Sequence, residues 1–153
     1  MGRSLRRIRY CILFVLLISI FSLTALAENG SAVLNSLHFE IALQEDGSAC
    51  ITEMREVVFN GDREFTRYGV NNFFTGPRTF TEWQASIDGT PLTQLDAPDN
   101  ENRPENSFAV EDGEGENTIY IYFRQQGSGT RSFQISYRLE NAVKLYSDVG
   151  EFF

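Results

Sequence analysis

Past Leu37, apolar residues recur at every second position, and no stretch sustains a helical spacing. Leu37, Phe39, Ile41 and Leu43 alternate with His38, Glu40 and Ala42. Successive strand side chains point to opposite faces, so this pattern predicts a half-buried strand. Glu45-Asp46-Gly47 then supplies a tight turn, because Gly takes positive φ without steric cost. An apparent strand from Ser48 to Phe59 returns, completing an N-terminal hairpin. Thr118 to Phe123 sets Ile119, Ile121 and Phe123 on one face and Tyr120 and Tyr122 on the other. Thr130 to Leu139 sets Phe133, Ile135, Tyr137 and Leu139 on one face. Thr79 to Asp88 and Ser107 to Val110 read as further strands, with Thr90 to Leu95 pairing back on the former. Glu64 to Gly76 fits neither period and predicts a packed excursion between sheets. Asp96 to Asn106, with Pro98 and Pro104 and few apolar groups, is a loop. About six to eight short strands with regular turns predict an all-β fold: an antiparallel β-sandwich, immunoglobulin-like in the broad sense.

The first 27 residues follow a different logic. Arg3, Arg6, Arg7 and Arg9 precede an uncharged, mostly apolar run from Cys11 to Thr24, and Ala25-Leu26-Ala27 follows. A basic start, an apolar middle and a small-x-small end form the layout of a secretory signal peptide, here with cleavage between Ala27 and Glu28. The alternative is an uncleaved signal anchor, since Cys11 to Ala27 lies at the lower limit of a bilayer-spanning helix. In either case the arginines stay inside and the rest is exported. The predicted organisation is a signal peptide or anchor over 1–27, a flexible linker over 28–36 and a β-sandwich over 37–153.

Composition narrows the partners. Thirteen Lys and Arg face 21 Asp and Glu; four of the bases lie in the leader and every acid lies beyond it, leaving a mature formal charge of −12. Such a chain should repel phosphate backbones, so no nucleic-acid partner is expected. Only Cys50 follows the leader, so no internal disulfide can form, and a buried, inert thiol is expected. The fold must be held by its core, for which 11 Phe, five Tyr and Trp83 remain.

Candidate chemistry is sparse. His38 is the sole histidine and sits on the polar face of its strand; by itself it builds neither a His-rich metal site nor a Ser-His-Asp triad, and a solvated surface histidine is expected. Glu40, Glu53, Glu56, Glu82 and Glu151 lie on or near strands and are the carboxylates from which a glycosidase-like pair would be drawn. Glu53 shares a strand face with Ile51 and Val57. An inward carboxylate needs a partner, which Arg55 or a tyrosine hydroxyl can supply, and this predicts a structural role. Two acidic loops, around Asp96, Asp99, Asn100 and Glu101 and around Glu111, Asp112, Glu114 and Glu116, lack the EF-hand spacing. Trp83, Tyr120 and Tyr122 are the candidate ligand surface, an aromatic platform for a glycan or peptide. No cofactor or metal is expected.

Two motifs together resemble those of a known family. Glu45-Asp46-Gly47-Ser48-Ala49-Cys50-Ile51-Thr52-Glu53 resembles the "DGS-x-x-V-T-E" hairpin of DUF2207-type bacterial membrane proteins. Phe133-Gln134-Ile135-Ser136-Tyr137-Arg138-Leu139, followed by Asn141-Ala142-Val143 and by Asp148-Val149-Gly150-Glu151-Phe152-Phe153, is similar to that family's later segment, in which Trp comes next. The resemblance covers most of Leu37 to Phe153. It implies an extracytoplasmic β-domain followed by transmembrane helices, and no catalytic residues. The domain is therefore expected to continue past Phe153, with membrane attachment through the leader or through that continuation. The expected function is an extracytoplasmic interaction module of a bacterial envelope protein, with a protein or an envelope polymer as partner. The alternative is a cell-envelope enzyme acting on glycans through paired carboxylates.

Overall fold

A computed structural model describes the backbone of residues 30–73, 78–145 and 150–152. The leader with Ala25, Ala27 and Glu28, and the terminal Phe153, lie outside the described residues, as does the Phe152 side chain. The strands are β1 (Ser31–Leu43), β2 (Ala49–Asn60), β3 (Glu64–Phe73), β4 (Thr79–Ile87), β5 (Thr90–Pro91), β6 (Thr93–Gln94), β7 (Ser107–Asp112), β8 (Glu116–Gln126), β9 (Gly129–Glu140), β10 (Val143–Leu145) and β11 (Gly150–Phe152). One sheet runs β1-β2-β9-β4-β5 and the other β3-β8-β7-β6, with β10 and β11 as a separate pair. Pairing is antiparallel except between β6 and β7. The fold is thus the β-sandwich that alternation predicts.

The inner faces interlock through aromatic rings. Phe59 of β2 packs on Phe65 of β3 at 4.8 Å and on Phe123 of β8 at 5.5 Å, and Phe133 of β9 stacks on Tyr68 of β3 at 4.7 Å. Ile119, Ile121, Phe123, Phe133, Ile135 and Tyr137 are all buried, as their alternation predicts. Each such side chain contributes about 1.5–3 kcal/mol when withdrawn from water, so this layer supplies the cohesion that a disulfide would otherwise provide.

The N-terminal hairpin forms as expected, with Gly47 at φ 82° and the Asp46 carboxylate accepting from the Ser48 amide at 3.0 Å and hydroxyl at 2.7 Å. Four expectations need correction. Residues Ser31 to Ser36 are not a linker but the first half of β1, paired with β2 from Ser31 opposite Asn60. A bulge between Leu34 and Ser36 shifts the phase by one residue, which hides the strand from a period-two reading. Its extra residue, Asn35, donates to Glu56. Cys50 is half-buried, because it alternates with the core-facing Ala49 and Ile51 and lies on the outer face. Thr90 to Leu95 divides: β5 returns on β4, whereas β6 joins the opposite sheet.

The fourth correction concerns β1 itself. Leu34, Leu37, Phe39, Ile41 and Leu43 stand opposite Val57, Arg55, Glu53, Ile51 and Ala49, and so face the same side as the core. Yet they are 41% to 58% exposed. The reason is topological. The first sheet ends at β1, while the second ends at β3, whose Phe65 and Asn72 side chains reach Phe59 and Glu53 of β2. Among the described residues no strand of the second sheet extends past β3, so β1 forms an apolar ledge.

Candidate functional site

Among the described residues, Glu53 is the one charged residue that is fully buried in the sandwich, at 1% exposure. Alternation along β2 forces it inward with Ile51 and Val57. Its Oε2 accepts from Arg55 Nε at 3.0 Å and Nη2 at 2.6 Å; Arg55, two residues on, shares the face. Its Oε1 accepts from the Tyr137 hydroxyl of β9 at 2.9 Å and from Asn72 Nδ2 of β3 at 3.2 Å. Both partners that alternation suggests, Arg55 and a tyrosine, are in place. Asn72 is the one that sequence reasoning misses, because the bulge between Phe65 and Arg67 scrambles the phase of β3.

Four donated hydrogen bonds fill the roughly four lone-pair sites of a carboxylate. The Tyr137 hydroxyl is held protonated: burial pushes its pKa well up, and the adjacent Glu53 charge adds to the shift. No buried side-chain nitrogen or oxygen among the described residues lacks a partner. A general acid or base needs an oxygen directed at a substrate, and Glu53 has none to spare. Chemically the cluster is a tie, joining β2 and β9 of one sheet to β3 of the other.

The other carboxylates do not converge on it. Glu40 is exposed beside His38, with 4.0 Å between Oε1 and Nε2. Glu56 turns to the outer face, where Asn35 meets it. Glu82 occupies a bulge in β4 at φ 55°. The Glu151 side chain lies outside the described residues. Among the described residues, no three His, Cys, Asp or Glu side chains gather as metal ligands. In the first acidic loop the Asp99 carboxylate is engaged by Asn102, at 2.9 Å to its amide nitrogen.

The three aromatics of the expected ligand surface are dispersed, which corrects the single-platform reading. Tyr120 and Tyr122 share the outer face of β8, but Tyr122 is fully buried. The Asp96–Asn106 loop accounts for this: Asn100 accepts from the Tyr122 hydroxyl at 3.4 Å and from Arg67 Nη1 at 2.7 Å. Tyr120 donates to Glu111 at 2.8 Å, with the Arg67 guanidinium 5.4 Å from its ring centre. Trp83 belongs to the other sheet, where the β4 bulge aims it at Tyr137 (4.7 Å) and Phe80 (5.9 Å). It borders an open groove of about 460 Å³ whose lining includes Gln84, Gln94, Gln134 and Leu92 but no acid, base or thiol.

The comparison with known families now bears on this arrangement. A family model described as "Predicted membrane protein (DUF2207) N-terminal domain" matches residues 33–153. The chain belongs to the DUF2207 family. Its description is that of a membrane protein, so membrane association follows from membership. No helix among the described residues is long and apolar enough to cross a bilayer. No curated protein matches the chain. Within this DUF2207 domain, the two motifs behind the resemblance meet in the buried cluster: the hairpin segment contributes Glu53 and the later segment Tyr137.

Proposed function

We propose that this DUF2207 domain stands outside the cytoplasm at a bacterial membrane and works as an interaction module, through protein or envelope-polymer contacts. Export is supported by the four arginines, the apolar run and the Ala25-Leu26-Ala27 end. The observation that carries the interaction reading is the saturation of Glu53: the best-placed carboxylate of the fold spends all its acceptor capacity within the fold. The surface, by contrast, offers an apolar ledge on β1 and a neutral groove beside Trp83. Amide side chains and an indole suit contact with a neutral polymer or peptide, and they supply no proton-transfer agent.

Two measurements test this reading. A reporter enzyme that matures only outside the cytoplasm, fused after Phe153, should be active, and the mature product should begin at Glu28. Activity of a cytoplasm-only reporter instead would overturn the placement. Incubation with purified cell-wall glycan should release no sugar. Release that Glu53→Gln abolishes while the melting temperature stays unchanged would replace the interaction reading with the carboxylate enzyme.

A further inference from the structure

The β1 ledge has two properties beyond its apolar side chains. First, among the described residues β1 is a long free edge. Over Ser31–Leu43 it carries one acid, Glu40, and neither Pro nor Lys, and its single bulge, at Asn35, leaves the run from Ser36 to Leu43 regular. Second, among the described residues the edge of the other sheet is also open, at β3, one strand further in. The sandwich therefore ends in a step, with a free edge on each layer and an apolar tread between them. Gly30, at the foot of β1, lies so close to β3 that an added Cβ would come within 2.7 Å of the Phe65 ring.

We infer that the step is filled by a second copy of this chain, in a two-fold dimer whose β1 strands pack apolar face to apolar face. Take a two-fold axis parallel to β1, midway between the layers. The rotation carries β1 of the second copy into the vacant place beside β3 of the first, and β3 of the second copy beside β1 of the first. One operation covers both ledges and pairs the β1 and β3 edges of both copies, which is the self-complementarity an isologous interface requires. Strand directions permit the pairing. β1 is antiparallel to β2, β2 to β9 and β3 to β8, and a tight turn reverses β8 into β9, so β1 and β3 run the same way and pair in parallel. Facing sheets pack about 10 Å apart, so two rows of Leu, Ile and Phe fill the gap. At 41% to 58% exposure, the five ledge residues leave roughly 450 Å² per copy for a partner to cover. The pair thus buries about 900 Å² before the strand edges are counted, against about 1,000 Å² for a specific interface. Simple edge-to-edge joining of two β1 strands would leave both ledges in water.

This inference deepens the interaction reading by naming its partner, and it fails separately from it. The exported full chain should sediment as a dimer at tens of micromolar. Its association should strengthen with added salt, which screens the repulsion between two acidic copies. Phe39→Glu should weaken association by at least about tenfold, whereas Thr130→Glu, the same charge on an exposed outer-face site of β9, should leave it unchanged. Both variants should keep the parental melting temperature at dilutions where the parent is monomeric, which separates lost association from lost folding. A photo-crosslinker at Phe39, in a mixture of light and heavy isotope-labelled copies, should give light–heavy adducts within Glu64–Phe73 or β1. A monomer at tens of micromolar, or adducts confined to one copy, to another protein or to lipid, would overturn the dimer. The broader reading of an interaction module would then stand or fall on its own two tests.

Discussion

Phe39 and Glu53 face each other across the first hairpin, on the same side of the same sheet. The carboxylate is 1% exposed and the phenyl ring 47% exposed. Hydropathy alone would order them the other way. What separates them is one strand of lateral position: Glu53 on β2 lies beneath Asn72 of β3, and β1 lies beyond the last strand of the second sheet. Alternation decides which face a residue takes, whereas the width of the opposite layer decides whether that face is covered. The covered region also had to satisfy its polar member completely, since an unpaired buried charge costs several kcal/mol. The uncovered region carries no such obligation.

The contrast can be broken at either end. Phe133→Ala removes a ring that touches Phe59, Tyr68 and Phe123, and should cost about 3–5 kcal/mol by urea denaturation. Glu53→Ala leaves Arg55 without its partner in a mostly buried site and should cost about 2–4 kcal/mol. Glu53→Gln should cost less, about 1–2 kcal/mol. The amide oxygen can still accept from Arg55, while the Tyr137 hydroxyl and the Asn72 side chain can each turn to accept from the new amide NH2. Alkali sharpens the picture. The Tyr137 hydroxyl has its pKa raised in the folded state above the ordinary value of 10.0, so its contribution is present below that pH. Stability should fall as pH rises past about 10, where the unfolded chain ionises this group and the folded chain does not. Tyr137→Phe should flatten part of that slope in thermal melts. Phe39→Ala should be the mildest change, within about 0.5 kcal/mol, when measured at concentrations where the protein is monomeric.

Much of the fold was legible because long strands keep their phase. Thr118 to Phe123 and Thr130 to Leu139 alternate without interruption, and their inner residues are buried as predicted. Bulges mark where legibility ends. The extra residue near Asn35 disguised half of β1 as a linker, the one near Thr66 made β3 look aperiodic, and the one at Glu82 turned Trp83 toward Tyr137. Of the buried cluster, Glu53 and Arg55 were legible because i and i+2 on a strand share a face. Asn72 was not, since its contact depends on how the two sheets are laid over each other. The dispersal of Trp83, Tyr120 and Tyr122 was likewise invisible: strand membership in one sheet or the other is a long-range fact that local alternation does not encode.

The most direct test compares two alanine variants of the register pair in one experiment. Urea denaturation of Glu53→Ala and Phe39→Ala, below the concentration at which copies associate, measures what each residue contributes inside a single sandwich. Cover by the opposite sheet predicts that losing the carboxylate costs at least about 2 kcal/mol more than losing the ring. A larger loss for Phe39→Ala would contradict it, and would mean that the ledge on β1 is buried within the single folded chain.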